Sequence, residues 1–397
     1  MQLLSNQILD FQKKASWIRR MFEAGIELKK QYGEDNVYDF SLGNPDLTPP
    51  KAVLDAIAEL PQKLNHPASL GYMPNAGFPD ARKALGKWLS IQQKTTIPAD
   101  NLIMTVGAAG AINALFRAIL NPGDEVLCPA PYFVEYTFYC NNNNAKLVPI
   151  KSKRFTFELD IPKLEAAINE HTHAIIINSP NNPAGVIYTE EELRQLADVL
   201  RKAMKKYGHP IFLVSDEPYR FLTFDGAEVP PIFPLYEYSI IVSSFSKNLS
   251  LAGERVGYAA VNPAMENHEE LIRGIIFTNR ILGFVNAPCI GQRIMEQCLN
   301  IVPETKIYIE RRKIMAEILT EAGLHFTMPA GTFYFFPETP NGMDDVKFVR
   351  NLYDEHILAV PGSGFGYPGF FRLALCVDKK IILRSREAFI RAVKAAQ

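Results

Sequence analysis

Cysteine is scarce in this 397-residue chain: Cys128, Cys140, Cys289, Cys298 and Cys376 are odd in number, far apart and include no C-x-x-C pair. A disulfide framework is thereby excluded, and the five read as reduced thiols of a cytoplasmic protein. Long apolar runs are also missing. No span approaches the roughly 20 apolar residues of a membrane helix, and Asp10, Lys13, Lys14, Arg19, Arg20 and Glu23 interrupt the apolar residues between Met1 and Leu28, so no signal peptide is expected. Excess charge of either sign is absent, since 42 Lys and Arg against 43 Asp and Glu leave a formal net charge of −1. Without a basic run, neither nucleic acid nor an anionic membrane is an expected partner. Histidines are few, and His171 and His173 have no carboxylate or cysteine beside them at ligand spacing. They read as surface residues, and no metal site is expected.

What is present is an alternation of short apolar runs with amphipathic helical stretches. That pattern predicts an α/β protein with a mostly parallel sheet flanked by helices. The candidate strands are Leu102 to Val106, Glu125 to Cys128, Ala174 to Asn178, Ile211 to Ser215 and Ser239 to Ser243, each continuous enough in apolar residues to be buried on both faces. Thr189 to Glu192 forms a capping box ahead of Leu193, Leu196, Ala197, Leu200, Ala203 and Met204 at helical spacing. After about residue 300 the texture changes to a helix (Ile309 to Ala322), short strands around Thr332 to Phe336 and Phe370 to Leu375, and a final helix from Ile381. This predicts a smaller α+β domain. The Pro-rich stretch Asn44 to Pro50 reads as a crossing between domains. The expected division is residues 1–49, an N-terminal helix and segment joining the small domain, then 50–295, the large domain, and 296–397, the small domain.

In open α/β sheets, ligands bind beyond the carboxyl ends of the strands. Val106 is followed by Gly107-Ala108-Ala109-Gly110 opening a helix, Asn178 by Ser179-Pro180-Asn181-Asn182-Pro183, Ser215 by Asp216, and Ser243 by Ser244-Phe245-Ser246-Lys247. Each has a plain explanation on its own: a tight connection, a turn, a helix cap, a solvated lysine. Their conjunction on one sheet edge is what points to a site.

Taken together these segments resemble the fold-type I pyridoxal-phosphate aminotransferases of class I/II, the group that includes aspartate aminotransferases. The resemblance runs from Ser41-Leu42-Gly43-Asn44-Pro45-Asp46 through Gly71-Tyr72-Met73-Pro74-Asn75-Ala76-Gly77, Asn181-Asn182-Pro183-Ala184-Gly185 and Asp216-Glu217-Pro218-Tyr219. It continues to Ser244-Phe245-Ser246-Lys247, Gly253-Glu254-Arg255-Val256-Gly257-Tyr258 and Phe371-Arg372-Leu373. The most specific element is the serine-flanked lysine with an arginine eight residues on.

The resemblance implies the fold of that family and a role for each residue. Lys247 would form a Schiff base with the aldehyde of pyridoxal 5′-phosphate and, once displaced and neutral, take the Cα proton of an amino acid. Asp216 would keep the pyridine nitrogen protonated. Tyr219 and Asn182 would hydrogen-bond the phenolic oxygen, and Phe133, with Tyr132 as the alternative, would lie over the ring. Gly107, Ala108 and Ala109 would offer backbone N–H groups to the phosphate at a helix N-terminus, joined by Ser244, Arg255 and, more weakly, Ser246. Arg372 would hold the substrate carboxylate beside the backbone of Gly43. Tyr72 resembles the tyrosine that reaches the neighbouring subunit's phosphate, which implies a homodimer.

The activity implied is ping-pong transfer of the amino group of an L-amino acid to a 2-oxo acid. Phe133 stands where several members of the family carry Trp or Tyr, and Ala184 where Thr is commoner. No second arginine for a side-chain carboxylate is assigned; Arg280 lies near a segment that lines the site in relatives, yet reads equally as a surface residue. A carbon–sulfur β-lyase of the same fold shares Lys247, Asp216 and Arg372 and is the alternative. A cofactor-sensing regulator would need a DNA-binding segment ahead of the domain. The family-like pattern begins with Ser16-Trp17-Ile18-Arg19, so that reading is not expected.

Overall fold

Apolar runs flanked by turn residues pair into one seven-stranded sheet whose inner strands bury side chains on both faces. The computed structural model describes residues 2–13, 17–301 and 303–396, so Ser16 lies outside the described residues. After a two-residue β1 (Tyr38–Asp39) the sheet is built from β2 (Leu102–Thr105), β3 (Glu125–Ala130), β4 (Lys146–Lys151), β5 (Thr172–Asn178), β6 (Phe212–Asp216), β7 (Ser239–Ser244) and β8 (Gly257–Val261). Their order is β2-β8-β7-β6-β5-β3-β4. All neighbours are parallel except at β8, which runs antiparallel to both β2 and β7. Two of these strands went unpredicted. β4 is an edge strand with Lys146, Pro149 and Lys151, so it lacks the continuous apolar signature. β8 begins with Gly257, where a Cβ would come within 2.5 Å of the Ser243 carbonyl and 2.7 Å of the Gly107 Cα.

Burial on two faces is visible within β5: Ile175 and Ile177 belong to one apolar cluster, Ala174 and Ile176 to another on the opposite face. The helix Glu190–Tyr207 packs Leu193, Leu196, Ala197 and Leu200 into the first cluster. Its capping box is formed: the Thr189 hydroxyl accepts from the Glu192 amide at 3.2 Å and the Glu192 carboxylate accepts from the Thr189 amide at 2.8 Å.

A second, smaller assembly holds β9 (Tyr334–Phe335), β10 (Ile357–Leu358), β11 (Val360–Pro361) and β12 (Phe371–Ala374). β9, β12 and β11 form an antiparallel sheet, while β10 pairs in parallel with β1, so the N-terminal segment joins this assembly. The helices differ from expectation in detail. The first begins at Lys306 and ends at Glu321, and the expected final helix from Ile381 is two, Lys379–Arg384 and Arg386–Lys394, divided at buried Ser385. The segment after β1 is tied down by Arg311, whose guanidinium donates to both carboxylate oxygens of Asp46 at 2.7 Å. Among the described residues no helix is long and apolar enough to cross a membrane.

Candidate active site

Because β8 is antiparallel to both its neighbours, β2 runs in the same sense as β5, β6 and β7. The carboxyl ends of these four strands therefore share one edge, and a cavity of about 380 Å³ opens there. Lys247, three residues past β7, lines it and donates from Nζ to the Gly43 carbonyl at 2.6 Å. Burial above all, with Arg372 and Arg255 adding to it, holds its pKa below that of an ordinary lysine.

Asp216 is the last residue of β6 and is buried. Its Oδ2 accepts from the Tyr136 hydroxyl at 2.5 Å, and its backbone carbonyl accepts from Asn178 Nδ2 at 2.8 Å. Oδ1 has no partner among the described residues. Burial raises the carboxyl to about 7, the Tyr136 hydrogen bond opposing the rise.

Arg372, on β12, is 2% exposed. Its Nη1 donates to Asn182 Oδ1 at 3.1 Å, its Nη2 to the Ser41 carbonyl at 2.6 Å, and its guanidinium carbon sits 4.6 Å from the Tyr334 ring centre. Tyr219 and Tyr334 face each other with hydroxyl oxygens 3.1 Å apart. Burial pushes the Tyr219 hydroxyl well above the usual tyrosine range and the Tyr334 hydroxyl up to about 12, with Arg372 pulling the latter down.

Ala108, Ala109, Ser244, Ser246 and the exposed Arg255 also line the cavity. Gly107 opens the helix Gly107–Ile119 at φ 77°, a left-handed conformation that favours glycine, and Arg255 Nη2 lies 2.8 Å from where a Cβ would stand. Phe133 lines the cavity; Tyr132 does not, since its ring lies against Gly366 and its hydroxyl meets Thr137 at 3.3 Å. Tyr72 is 95% exposed and takes no part in the cavity of its own chain. Arg280 is exposed on the helix His268–Ile281 with its guanidinium over Phe277, also outside the cavity. His171 is exposed, whereas His173 is half-buried, stacked on His209 at 4.4 Å and 3.3 Å from Asp124. The described residues contain no group of three or more potential metal ligands.

Sequence reasoning missed Tyr136, Asn178 and Tyr334. Tyr136 follows Phe133 by three residues in an aromatic run, but nothing local ties it to Asp216, 80 residues on. Tyr334 lay inside a segment read only as a strand.

A lysine amine, a half-partnered carboxylate and a guanidinium gathered at the strand ends of an α/β sheet define an enzyme of the amine-handling class. Comparison with known proteins makes this specific. The family model for aminotransferase class I and II matches residues 35–388, and the chain belongs to that family. It is 30% identical to the probable aspartate/prephenate aminotransferase of Aquifex aeolicus, over 91% of each chain, and 32% identical to the aspartate aminotransferase of Bacillus subtilis, over 92% of this chain and 93% of that one. Its fold matches the crystal structure of an amino transferase from Eubacterium rectale with a TM-score of 0.95 at 37% identity, covering 100% and 99% of the two chains. The aspartate aminotransferase of Thermus thermophilus, solved with maleate, matches with a TM-score of 0.87 at 27% identity, covering 99% and 100%. The protein is thus a transaminase by family, and enzymes of this family use pyridoxal phosphate and act on amino and oxo acids.

Proposed function

We propose that this chain binds pyridoxal 5′-phosphate at Lys247 and transfers the amino group of an L-amino acid to a 2-oxo acid in two successive half-reactions, a ping-pong scheme. The observation that carries the reading is the unpartnered, buried Oδ1 of Asp216 facing the same cavity as a lysine with a lowered pKa. Buried polar atoms are almost always paired, and a protonated ring nitrogen is the donor this oxygen lacks. The size of the cavity also fits one small aromatic phosphate.

In this reading Ala108, Ala109, Ser244, Ser246 and Arg255 hold the phosphate, with Gly107 allowing the close approach of the helix N-terminus. Phe133 covers the ring face, and Tyr219 with Asn182 hydrogen-bonds the phenolic oxygen. When bound, the cofactor supplies an aldehyde that condenses with primary amines and an electron-withdrawing ring. Asp216 keeps its carboxylate against the ring nitrogen, and the cation opposite lowers the raised pKa that burial imposes. Lys247 Nζ, uncharged once freed from the aldehyde, would take the substrate's Cα proton and hand it to the former aldehyde carbon, two atoms along across the nitrogen. Arg372 receives the substrate carboxylate as a two-pronged donor beside Gly43.

Two further parts belong to the same proposal. Tyr72, exposed in the single chain, reaches the phosphate of a second copy in a homodimer. Residues 1–49 and 296–397 form a small domain that closes on the large domain of 50–295 and excludes water. The free cysteines fit a cytoplasmic location.

The test begins with borohydride reduction of the cofactor-treated chain followed by peptide mass analysis, with a covalent adduct on Lys247 expected. An intact, unmodified Lys247 overturns the reading. Amino acids are then supplied with and without a second oxo acid. Turnover that depends on the second oxo acid supports transamination, and pyruvate, ammonia and thiol released from cystathionine alone replace it with β-elimination.

A further inference from the structure

Tyr334 touches three groups of the site at once, and the function proposed above gives it no task. Its hydroxyl lies 3.1 Å from that of Tyr219, its ring lies under the Arg372 guanidinium at 4.6 Å, and a methyl group on Gly43 would fall 1.9 Å from its hydroxyl oxygen. It is buried on β9, and the Thr332 hydroxyl, 3.2 Å from its amide, fixes the backbone there.

A hydroxyl carries one hydrogen. If Tyr219 gives its hydrogen to the cofactor's phenolic oxygen, it has none left for the 3.1 Å contact, and Tyr334 must be the donor in that pair. The Arg372 cation over the Tyr334 ring, 4.6 Å from its centre, draws electron density from it and makes its hydroxyl a stronger donor. A hydroxyl that accepts a hydrogen bond becomes a better donor in turn.

We infer that Tyr334 is a positioning residue that donates to Tyr219, strengthens the hydrogen bond Tyr219 makes to the cofactor, and couples that bond to the occupancy of Arg372. The inference rests on the cofactor reading above. A carboxylate bound to Arg372 offsets its charge, weakens Tyr334 as a donor, and through Tyr219 makes the phenolic oxygen more basic. The titratable groups facing the pair are Arg372 and Cys376 from β12 and the residues after it, and Asp216 from β6. Lys247, from the segment after β7, lines the same cavity.

The test is a spectroscopic pH titration of the bound cofactor's visible absorbance in four proteins: wild type, Tyr334→Phe, Tyr219→Phe and the double variant. A donor to the phenolic oxygen lowers the midpoint. Tyr334→Phe is expected to raise it by about 0.5 unit, a roughly threefold change in proton affinity, and Tyr219→Phe by more. Once Tyr219 has lost its hydroxyl, the second substitution adds nothing, because its effect passes through that oxygen. A non-reacting monocarboxylate should shift the midpoint less in Tyr334→Phe than in wild type. The ring that stacks on Arg372 is kept, so KM should stay within about twofold while kcat falls. An unchanged midpoint in Tyr334→Phe, or fully additive shifts in the double variant, overturns the inference while leaving the cofactor assignment standing. A wild-type chain with no visible chromophore overturns both.

Discussion

Tyr136 donates a hydrogen bond to Oδ2 of Asp216 at 2.5 Å, and Oδ1 of the same carboxylate has no partner among the described residues. Both groups are buried, so the arrangement is half-satisfied and costs the ligand-free chain stability. Its sign follows from linkage. Burial raises the Asp216 carboxyl to about 7, so the folded chain keeps a proton that the unfolded chain releases near 4. This group's stabilising contribution is therefore full below about pH 4 and falls away as the pH rises to about 7. In the cofactor-free chain, Asp216→Asn is expected to raise Tm at pH 8 relative to wild type and to change it little at pH 4. Thermal melts at the two pH values check this, and a variant less stable than wild type at pH 8 contradicts it. In the same variant cofactor affinity should fall, since an amide cannot hold a cationic ring nitrogen.

Lys247→Ala removes the amine that meets the Gly43 carbonyl at 2.6 Å. The net value of one such hydrogen bond is about 1 kcal/mol, and removing a partly buried amine offsets part of it. The variant should fold, still bind pyridoxal phosphate without a covalent link, and lose turnover by about a thousandfold or more. Circular dichroism, borohydride trapping and a coupled transamination assay together separate loss of chemistry from loss of fold. Near-normal turnover would remove Lys247 from the mechanism.

Arg372→Lys keeps the charge and loses the fork. The guanidinium now reaches Asn182 and the Ser41 carbonyl with separate nitrogens while facing the cavity, which one ammonium cannot reproduce. Loss of one charge-assisted bond is worth about 2–3 kcal/mol, so kcat/KM should fall by about 100-fold for every amino acid accepted. The bound cofactor's absorbance should be retained. Steady-state kinetics beside the spectrum decide it, and an unaltered kcat/KM would place the carboxylate elsewhere.

Gly43→Ala tests close approach. The added methyl would fall 1.9 Å from the Tyr334 hydroxyl, so either the 41–47 segment or Tyr334 must move. Overpacking of this kind costs about 1–3 kcal/mol. Tm should drop accordingly, and activity should fall further than Tm alone explains, because the same segment holds Lys247 and Arg372 through its carbonyls. An active, fully stable variant would show that the segment is free to shift.

The parts legible in the sequence were local ones. β5, β6 and β7 are short apolar runs; Asp216 and Ser244 close β6 and β7, and Asn182 and Lys247 follow β5 and β7 within a few residues. The capping box at Thr189 and Glu192 spans three residues and forms as expected. β4 and β8 were not legible, because an edge strand need not be apolar throughout and a strand opening on Gly257 owes that glycine to the backbone of Ser243 and Gly107. Phe133, the first choice from the sequence, lines the cavity, and Tyr132, the alternative, packs against Gly366 instead, which no local pattern foretold.

What the sequence determined by itself is the apolar runs that became β2, β3, β5, β6 and β7 and the chemical groups at their ends, since apolar periodicity and short motifs act over a few residues. Only the tertiary structure decided who partners whom. Tyr219 meets Tyr334 across 115 residues, and Arg372 meets the Ser41 carbonyl across 331. Those pairings arise where two layers of the fold press together, and no local pattern encodes the register of that contact.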